Sequence, residues 1–303
     1  MARTASKNDH PRNPLEFLGR GEAVPESFIK RRMEDAQRGL AKRYKEANAI
    51  RQEAAKYRRQ LQGATAAGSK DASAVAGLLS TYNKVAQRKI KPPTVGTEVG
   101  GILGGRIVST VALPFNYAYA TPFQDTGNPT LAALADKSTG QMSCSATTDT
   151  EAPSSGSGYA EMGIYFHPMI GPGMLKVSAT MSFCMQWATN SLSSLNPVRA
   201  FGQASVGIYG STGLIGPTVG NIANFITWDE QDAGQLLFDF GCNHVPASTQ
   251  VQVDPSYECA LFVSITTHVE GTGWPGSIAT SVMSGTVPSI TFEFDWMPTL
   301  TEA

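Results

Sequence analysis

Two hydrophobic periods divide the chain. From Ser27 to Leu61 the apolar residues recur at a helical spacing, and from Arg106 onward they alternate with polar ones. In the first stretch one heptad position takes Met33, Leu40, Ala47, Ala54 and Leu61, and the other takes Ile29, Ala36, Arg43, Ile50 and Tyr57. Only Arg43 breaks the seam, and Tyr44 beside it can cover the gap. Such a repeat, sustained over about five heptads, keeps two or more helices face to face. No Pro interrupts it and its only Gly is Gly39, so propensity agrees with pattern. The stripe is thin and rich in Ala, and a single amphipathic helix lying on its own domain is the alternative.

The predicted helix opens at Glu26 or Ser27, where a carboxylate suits the positive end of the dipole and a hydroxyl can cap. Arg58 and Arg59 suit its far end, and Gly63 is expected to stop it. After a small-residue link, residues 72–89 form a second amphipathic pattern with Val75, Leu78, Leu79, Tyr82, Val85 and Ala86 on one side, closed by Pro92 and Pro93. The second helix either folds back as a hairpin or extends the stalk. Residues 96–108 hold overlapping small-residue spacings and read as a flexible collar rather than a membrane-packing motif or a phosphate loop.

The period of two is clearest at Leu175, Val177, Ala179, Met181, Phe183, Met185 and Trp187, which alternate with polar or small residues. Cys259, Leu261, Val263, Ile265 and Val269 predict a second long strand, and Ile290, Phe292, Phe294 and Trp296 a third. Shorter strands are expected at 106–113, 160–166, 205–209, 224–228, 236–240, 249–253 and 278–283. Residues 121–158 are weakly patterned, with a helical turn or two at Leu131–Ala135 and a flexible loop at 147–158. The expected fold class is mainly β: an antiparallel β-sandwich or jelly-roll body preceded by a coiled-coil-like helical arm. The domain division is an extended arm (1–25), a basic helical stalk (26–92) and an acidic β-sandwich (93–303).

Charge sharpens this division. Of 303 residues, 20 Lys or Arg against 9 Asp or Glu precede Pro92, a balance of +11. The remainder has 4 against 16, or −12, so a net charge of −1 conceals a basic arm on an acidic body. Such an arm meets nucleic acid, an anionic surface or the body of a neighbouring copy. Arg31, Arg32, Arg38, Lys42, Arg43, Arg58 and Arg59 are the candidate contacts, whether to phosphate or to an acidic partner. With Glu34, Asp35, Glu46 and Glu53 among them and no aromatic platform beside them, contact with nucleic acid would be non-specific.

Candidate chemistry is thin. Cys144, Cys184, Cys242 and Cys259 show no zinc spacing and are expected to be free thiols in a reducing compartment. His268 falls on the polar side of its strand and is expected to be exposed, and His244 beside Cys242 lacks an orienting partner. The acidic run 229–232 reads as a solvated loop without the spacing of a calcium site. Trp274, on the glycine-rich turn 271–276, either stacks on a ligand such as a sugar ring or folds back over the body. No elbow, metalloprotease helix or carboxylate pair is readable, so no catalytic residue, metal or cofactor is expected. The N-terminal residues lack the apolar core of a secretory signal, and no apolar run is long enough to span a membrane.

These patterns predict a non-enzymatic, self-assembling structural protein, made in the cytoplasm and built into a virion or phage particle as coat or fibre. Viral particles commonly divide labour between a basic arm and a jelly-roll coat, or a stalk and a β-rich head. Ile29, Met33, Ala36, Leu40, Ala47, Ile50, Ala54, Tyr57 and Leu61 would be its oligomerisation seam. Its partners would be further copies of itself and other particle proteins. The competing class is an adhesive head that binds a glycan receptor on an oligomeric stalk, with Trp274 as the ligand contact.

Overall fold

The computed structural model describes residues 24–66, 72–86, 105–168, 171–191, 198–212, 218–232, 236–273 and 275–296. Among these, two helices precede a body of mostly antiparallel β-structure in two sheets. The helices are α1 (Glu26–Ala66) and α2 (Ala72–Ala86). The strands are β1 (Gly105–Ala112), β2 (Tyr117–Thr126), β3 (Thr130–Asp136), β4 (Gln141–Thr147), β5 (Pro153–Phe166) and β6 (Gly173–Asn190). They continue as β7 (Val198–Ser211), β8 (Thr218–Asp232), β9 (Leu236–Val253), β10 (Glu258–Thr272), β11 (Ile278–Thr286) and β12 (Ser289–Trp296).

The larger sheet is built on β6. β9 pairs with it from 173 to 190 along one edge, while β12 (opposite 173–179) and β11 (opposite 182–190) share the other. Beyond them lie β1, paired with β12, and the β4–β3 hairpin, paired with β11. The smaller sheet runs β2-β5-β10-β7-β8. One core lies between the sheets. The seven alternating apolar residues of β6 enter it from one side, and Met162, Ile164, Val206, Ile208, Leu261, Val263 and Ile265 enter from the other. Period two thus points alternate residues inward, and burial of this apolar surface drives the layers together.

Five expectations within the body are corrected. Residues 131–135 are strand β3, not helix; its ladder with β4 is closed by a turn in which Asp136 accepts hydrogen bonds from Ser138 N and Thr139 Oγ1. Residues 153–158 are the buried start of β5, not a flexible loop. Their Gly and Ser content reflects close packing: a Cβ at Gly158 would lie 2.6 Å from the carbonyl oxygen of Ala132. Small residues here let the β3–β4 hairpin lie on β5.

The run 229–232 likewise ends strand β8 rather than forming a loop, and Asp229 is ion-paired with Arg199 of β7. His268 is buried, not exposed. It lies on β10, the central strand of the smaller sheet, hydrogen-bonded to Ser157 Oγ and the carbonyl of Gly156 and 3.1 Å from Glu270. Cys184 and Cys242 are not free thiols: they face each other across the β6–β9 ladder and form a disulfide. Cys144 and Cys259 are buried free thiols, and burial pushes both well above the ordinary thiol range.

Helix α1 spans 41 residues, about 60 Å at the usual rise. Pro25 supplies its first acceptor, its carbonyl taking the amides of Phe28 and Ile29. It runs past Gly63 to Ala66, since a lone Gly weakens a helix without obliging it to end. α2 folds back against α1, so the two form a hairpin. Past Leu40 the half-buried described positions of α1 are Glu53, Tyr57, Leu61 and Ala64, and those of α2 are Val75, Leu78 and Thr81, with Val85 buried. The spacings of three and four put each set on one helical face.

Candidate functional site: the helix-docking face

The outer face of the smaller sheet is not a solvated face. Strands β2, β5, β7 and β10 present Tyr117, Tyr119, Tyr159, Tyr165, Tyr209 and Phe262 there, and the first turns of α1 lie across them. Phe28 is fully buried among these rings. Its centroid is 4.6 Å from Tyr165, 5.9 Å from Tyr209 and 6.1 Å from Tyr117, all edge-on, the arrangement that aromatic quadrupoles favour.

One turn further along, Arg32 meets Glu161 of β5. Nε of the guanidinium donates to Oε1 at 3.1 Å and Nη2 to Oε2 at 2.6 Å, the bidentate fork. The hydroxyls of Tyr117 and Tyr159 donate to the same two oxygens at 3.0 and 2.6 Å. The carboxylate therefore accepts four hydrogen bonds, which fills its lone-pair directions. The face of the guanidinium lies over the rings of Tyr209 and Phe262, at 4.3 and 4.4 Å from their centroids. Glu161 has no solvent exposure and Arg32 only 7%, so each charge depends on the other.

The electrostatics follow from this enclosure. Burial opposes the charge of Arg32, yet the Glu161 carboxylate and the tyrosine hydroxyls hold its pKa well above the ordinary guanidinium value. Burial, and after it the carboxylate, push the hydroxyls of Tyr117, Tyr119 and Tyr159 well above the ordinary phenol range. The site is thus a charged pair locked by neutral phenols. Around it, Arg31 Nη1 donates to Ser211 Oγ at 2.9 Å and lies 3.3 Å from Glu258.

The sequence-selected residues divide along the helix. Ile29, Met33 and Ala36 are half-buried against the tyrosine cluster and Leu40 is buried. Tyr57 and Leu61 lie on the seam of the hairpin. Arg31 and Arg32 face acids of the body, whereas Arg38, Lys42 and Arg59 are exposed, Arg38 being paired with Asp35. Ala47, Ile50, Ala54, Arg43 and Arg58 lie on α1 with their side chains outside the described residues, and Trp274 is outside them altogether. Phe28, Glu161 and the tyrosines were missed. The available signal was a lone carboxylate between aromatic and apolar neighbours in the segment YAEMGIYF.

The described residues also form grooves at the surface. Between α1 and the sheet a groove of about 370 Å³ is lined by Asp35, Lys42 and Glu46 on the helix and by Gln203, Ser264 and Thr266 beneath. On the outer face of the larger sheet an open groove of about 640 Å³ runs from Leu134 to the exposed disulfide Cys184–Cys242. Its walls carry Gln141, Ser143, Asn243 and Ser284, with His244 Nδ1 at 2.7 Å from Ser182 Oγ. Among the described residues no cluster of three His, Cys, Asp or Glu could hold a metal ion, and no helix is long and apolar enough to cross a membrane.

No protein-family model matches the chain, and no curated protein matches it. Solved structures show faint likenesses. The CBM22-1–GH10 modules of Clostridium thermocellum xylanase 10B, complexed with xylohexaose, match at 12% identity and a TM-score of 0.18, over 55% of this chain and 26% of that one. The enzymatically active domain of bacteriophage CBA120 tailspike protein 4 matches at 14% and 0.17, over 60% of this chain and 19% of that one. Infectious bursal disease virus, Gx strain, matches at 12% and 0.14, over 68% of this chain and 43% of that one. The chain thus spans less than half the length of each.

Proposed function

We propose that the protein is a non-enzymatic structural component of an assembled particle, a coat or fibre subunit of a virion or phage. The observation that carries this reading is the use of an aromatic sheet face to seat the start of a long helix. A body whose outer face is occupied by Phe28 and Arg32 holds its arm in a set direction. The rest of that arm carries a charged exterior beyond Leu40. An arm of +11 leaving a body of −12 attracts further acidic bodies, and the heptad positions beyond Leu40 can extend the hairpin into a coiled coil between copies. On this reading the two sheets are a sandwich or jelly-roll tile. Light scattering of the full chain, with absorbance at 260 and 280 nm, tests it. A discrete oligomer or a large particle is the expected result, co-eluting nucleic acid would make the basic arm its binder, and a monomer at all concentrations overturns the reading.

A second reading, a glycan-binding head, draws on the groove of the larger sheet. Its amide and hydroxyl side chains, flanked by Leu134, have the mixed character that suits a polyhydroxylated ligand. Glycan-array binding lost on Asn243→Ala would favour it; absence of binding by the intact chain removes it.

A further inference from the structure

We propose that the groove between α1 and the smaller sheet binds a small neutral polyhydroxylated molecule, of the size of a monosaccharide. This site stands apart from the groove of the larger sheet and does not depend on assembly. Phe28, Arg32, Asp35, Gly39, Lys42 and Glu46 recur at intervals of three and four, so they share one face of α1. The first two fill the tyrosine socket, but beyond Arg32 this row offers no large apolar side chain. Gly39 leaves its middle open: a Cβ there would meet nothing within 4 Å.

The sheet beneath changes in the same way. On β10 the outward row passes from Ala260 and Phe262 to Ser264 and Thr266. Ser264 stands beside Glu161 and Ser205 of the flanking strands, and Thr266 beside Tyr159 and Gln203. Between helix and sheet this leaves the cavity of about 370 Å³, toward the small end of the range for ligand pockets.

The floor of the groove holds hydroxyls in need of a partner. Ser264 is 7% exposed and Thr266 9%, yet neither hydroxyl makes a hydrogen bond among the described residues, and both residues line the groove. A buried hydroxyl left unpaired is costly, so each calls for a group that enters from the groove. Gln203 beside them is fixed in place, its Nε2 donating to Ser205 Oγ at 2.7 Å and to Asn224 Oδ1 at 3.0 Å.

This chemistry selects the class of ligand. Hydroxyl and amide side chains both give and accept hydrogen bonds, as the hydroxyls of a sugar or polyol do. An apolar guest would leave Ser264 and Thr266 unpaired. An anion would meet Asp35 and Glu46, and a cation would meet Lys42 with Arg32 behind it. Because the walls belong to two elements, the guest binds only while α1 is seated, so binding and helix docking reinforce each other.

Saturation-transfer NMR on the full chain, with glucose, galactose and myo-inositol as probes, tests the site. Transfer to at least one probe is expected. Ser264→Ala/Thr266→Val removes both hydroxyls and Gly39→Leu fills the open space; each should weaken binding about tenfold or more, whereas Asn243→Ala on the larger sheet should leave it unchanged. A second measurement needs only the wild type. At ten times its Kd, the bound probe should slow amide exchange that passes through undocking of residues 35–46 by about 11-fold. The proposal is overturned by absence of transfer from all three probes, by unchanged binding in both variants with native far-UV circular dichroism, or by protection confined to β4, β9 and β11.

Discussion

Arg32 and Glu161 lie 129 positions apart in sequence and meet in a bidentate pair with almost no solvent access, one on the first turns of the helix and the other in the middle of β5. A buried pair of this kind adds little net stability over a well-packed apolar pair, because both charges lose their hydration. Removing one partner is a different matter, since the other is left buried and uncompensated.

Arg32→Met should therefore weaken helix docking by about 3–5 kcal/mol, and Arg32→Met/Glu161→Leu should recover most of it. Limited proteolysis within residues 26–40, read beside the urea midpoint of the body, separates release of the helix from unfolding of the sheets. Equal damage in single and double variants would show that the pair is not the coupling element.

The neutral phenols around the pair make the docking face sensitive to alkali. Tyr117 and Tyr159 have pKa values raised above the ordinary phenol value, chiefly by burial and then by Glu161. Above about pH 10 the unfolded chain loses these protons while the native chain keeps them, so stability falls as pH rises. Their contribution is full below pH 10 and is lost above it. Urea midpoints from pH 8 to 11.5 should decline more steeply in the wild type than in Tyr117→Phe. The variant should start about 1.5–3 kcal/mol lower, having lost a hydrogen bond to a charged acceptor.

Thiol labelling should count in steps. Native protein should react with iodoacetamide at none of its four cysteines, because Cys144 and Cys259 are buried with raised pKa values and the other two are joined. Mild reductant should expose two, Cys184 and Cys242, and denaturation all four. With a sequence separation of 58, the chain-entropy estimate for the cross-link is about 4 kcal/mol, which Cys184→Ser/Cys242→Ser should show as a lowered urea midpoint.

Two glycines should respond oppositely to alanine. On the docking face, a Cβ at Gly207 would lie 2.3 Å from Cζ of Phe262, the ring beneath Arg32, so Gly207→Ala should cost about 1–3 kcal/mol. Gly39 on α1 has nothing within 4 Å of an added Cβ, so Gly39→Ala should stabilise by about 0.8–1.0 kcal/mol through helix propensity. Thermal unfolding of both variants checks the pair.

What could be read along the chain was whatever depends on a local period. Leu175 to Trp187 announces a half-buried strand because alternate side chains must point to opposite faces, and Ser27 to Leu61 announces a helix because its seam repeats every three or four residues. The break in grammar near residue 105 and the opposite charges on its two sides were equally legible. Residues 153–158 were not, since a Gly- and Ser-rich strand looks like a loop until the hairpin that presses on it is known. The disulfide depends on the β6–β9 register and the burial of His268 on its central place in the sheet, neither of which has a local signal.

The long helix, the long alternating strands and the charge division were legible from neighbours along the chain, because each rests on a local period or on composition. Only the tertiary structure decided which helical face is used and what it meets. The heptad reading placed Ile29, Met33, Ala36 and Leu40 in the seam; Leu40 is buried, yet the other most deeply seated side chains are Phe28 and Arg32, one row to the side. That choice is made by Glu161 and its tyrosines. A buried carboxylate must find a cation, and sequence periodicity does not encode which face of a helix will bring one.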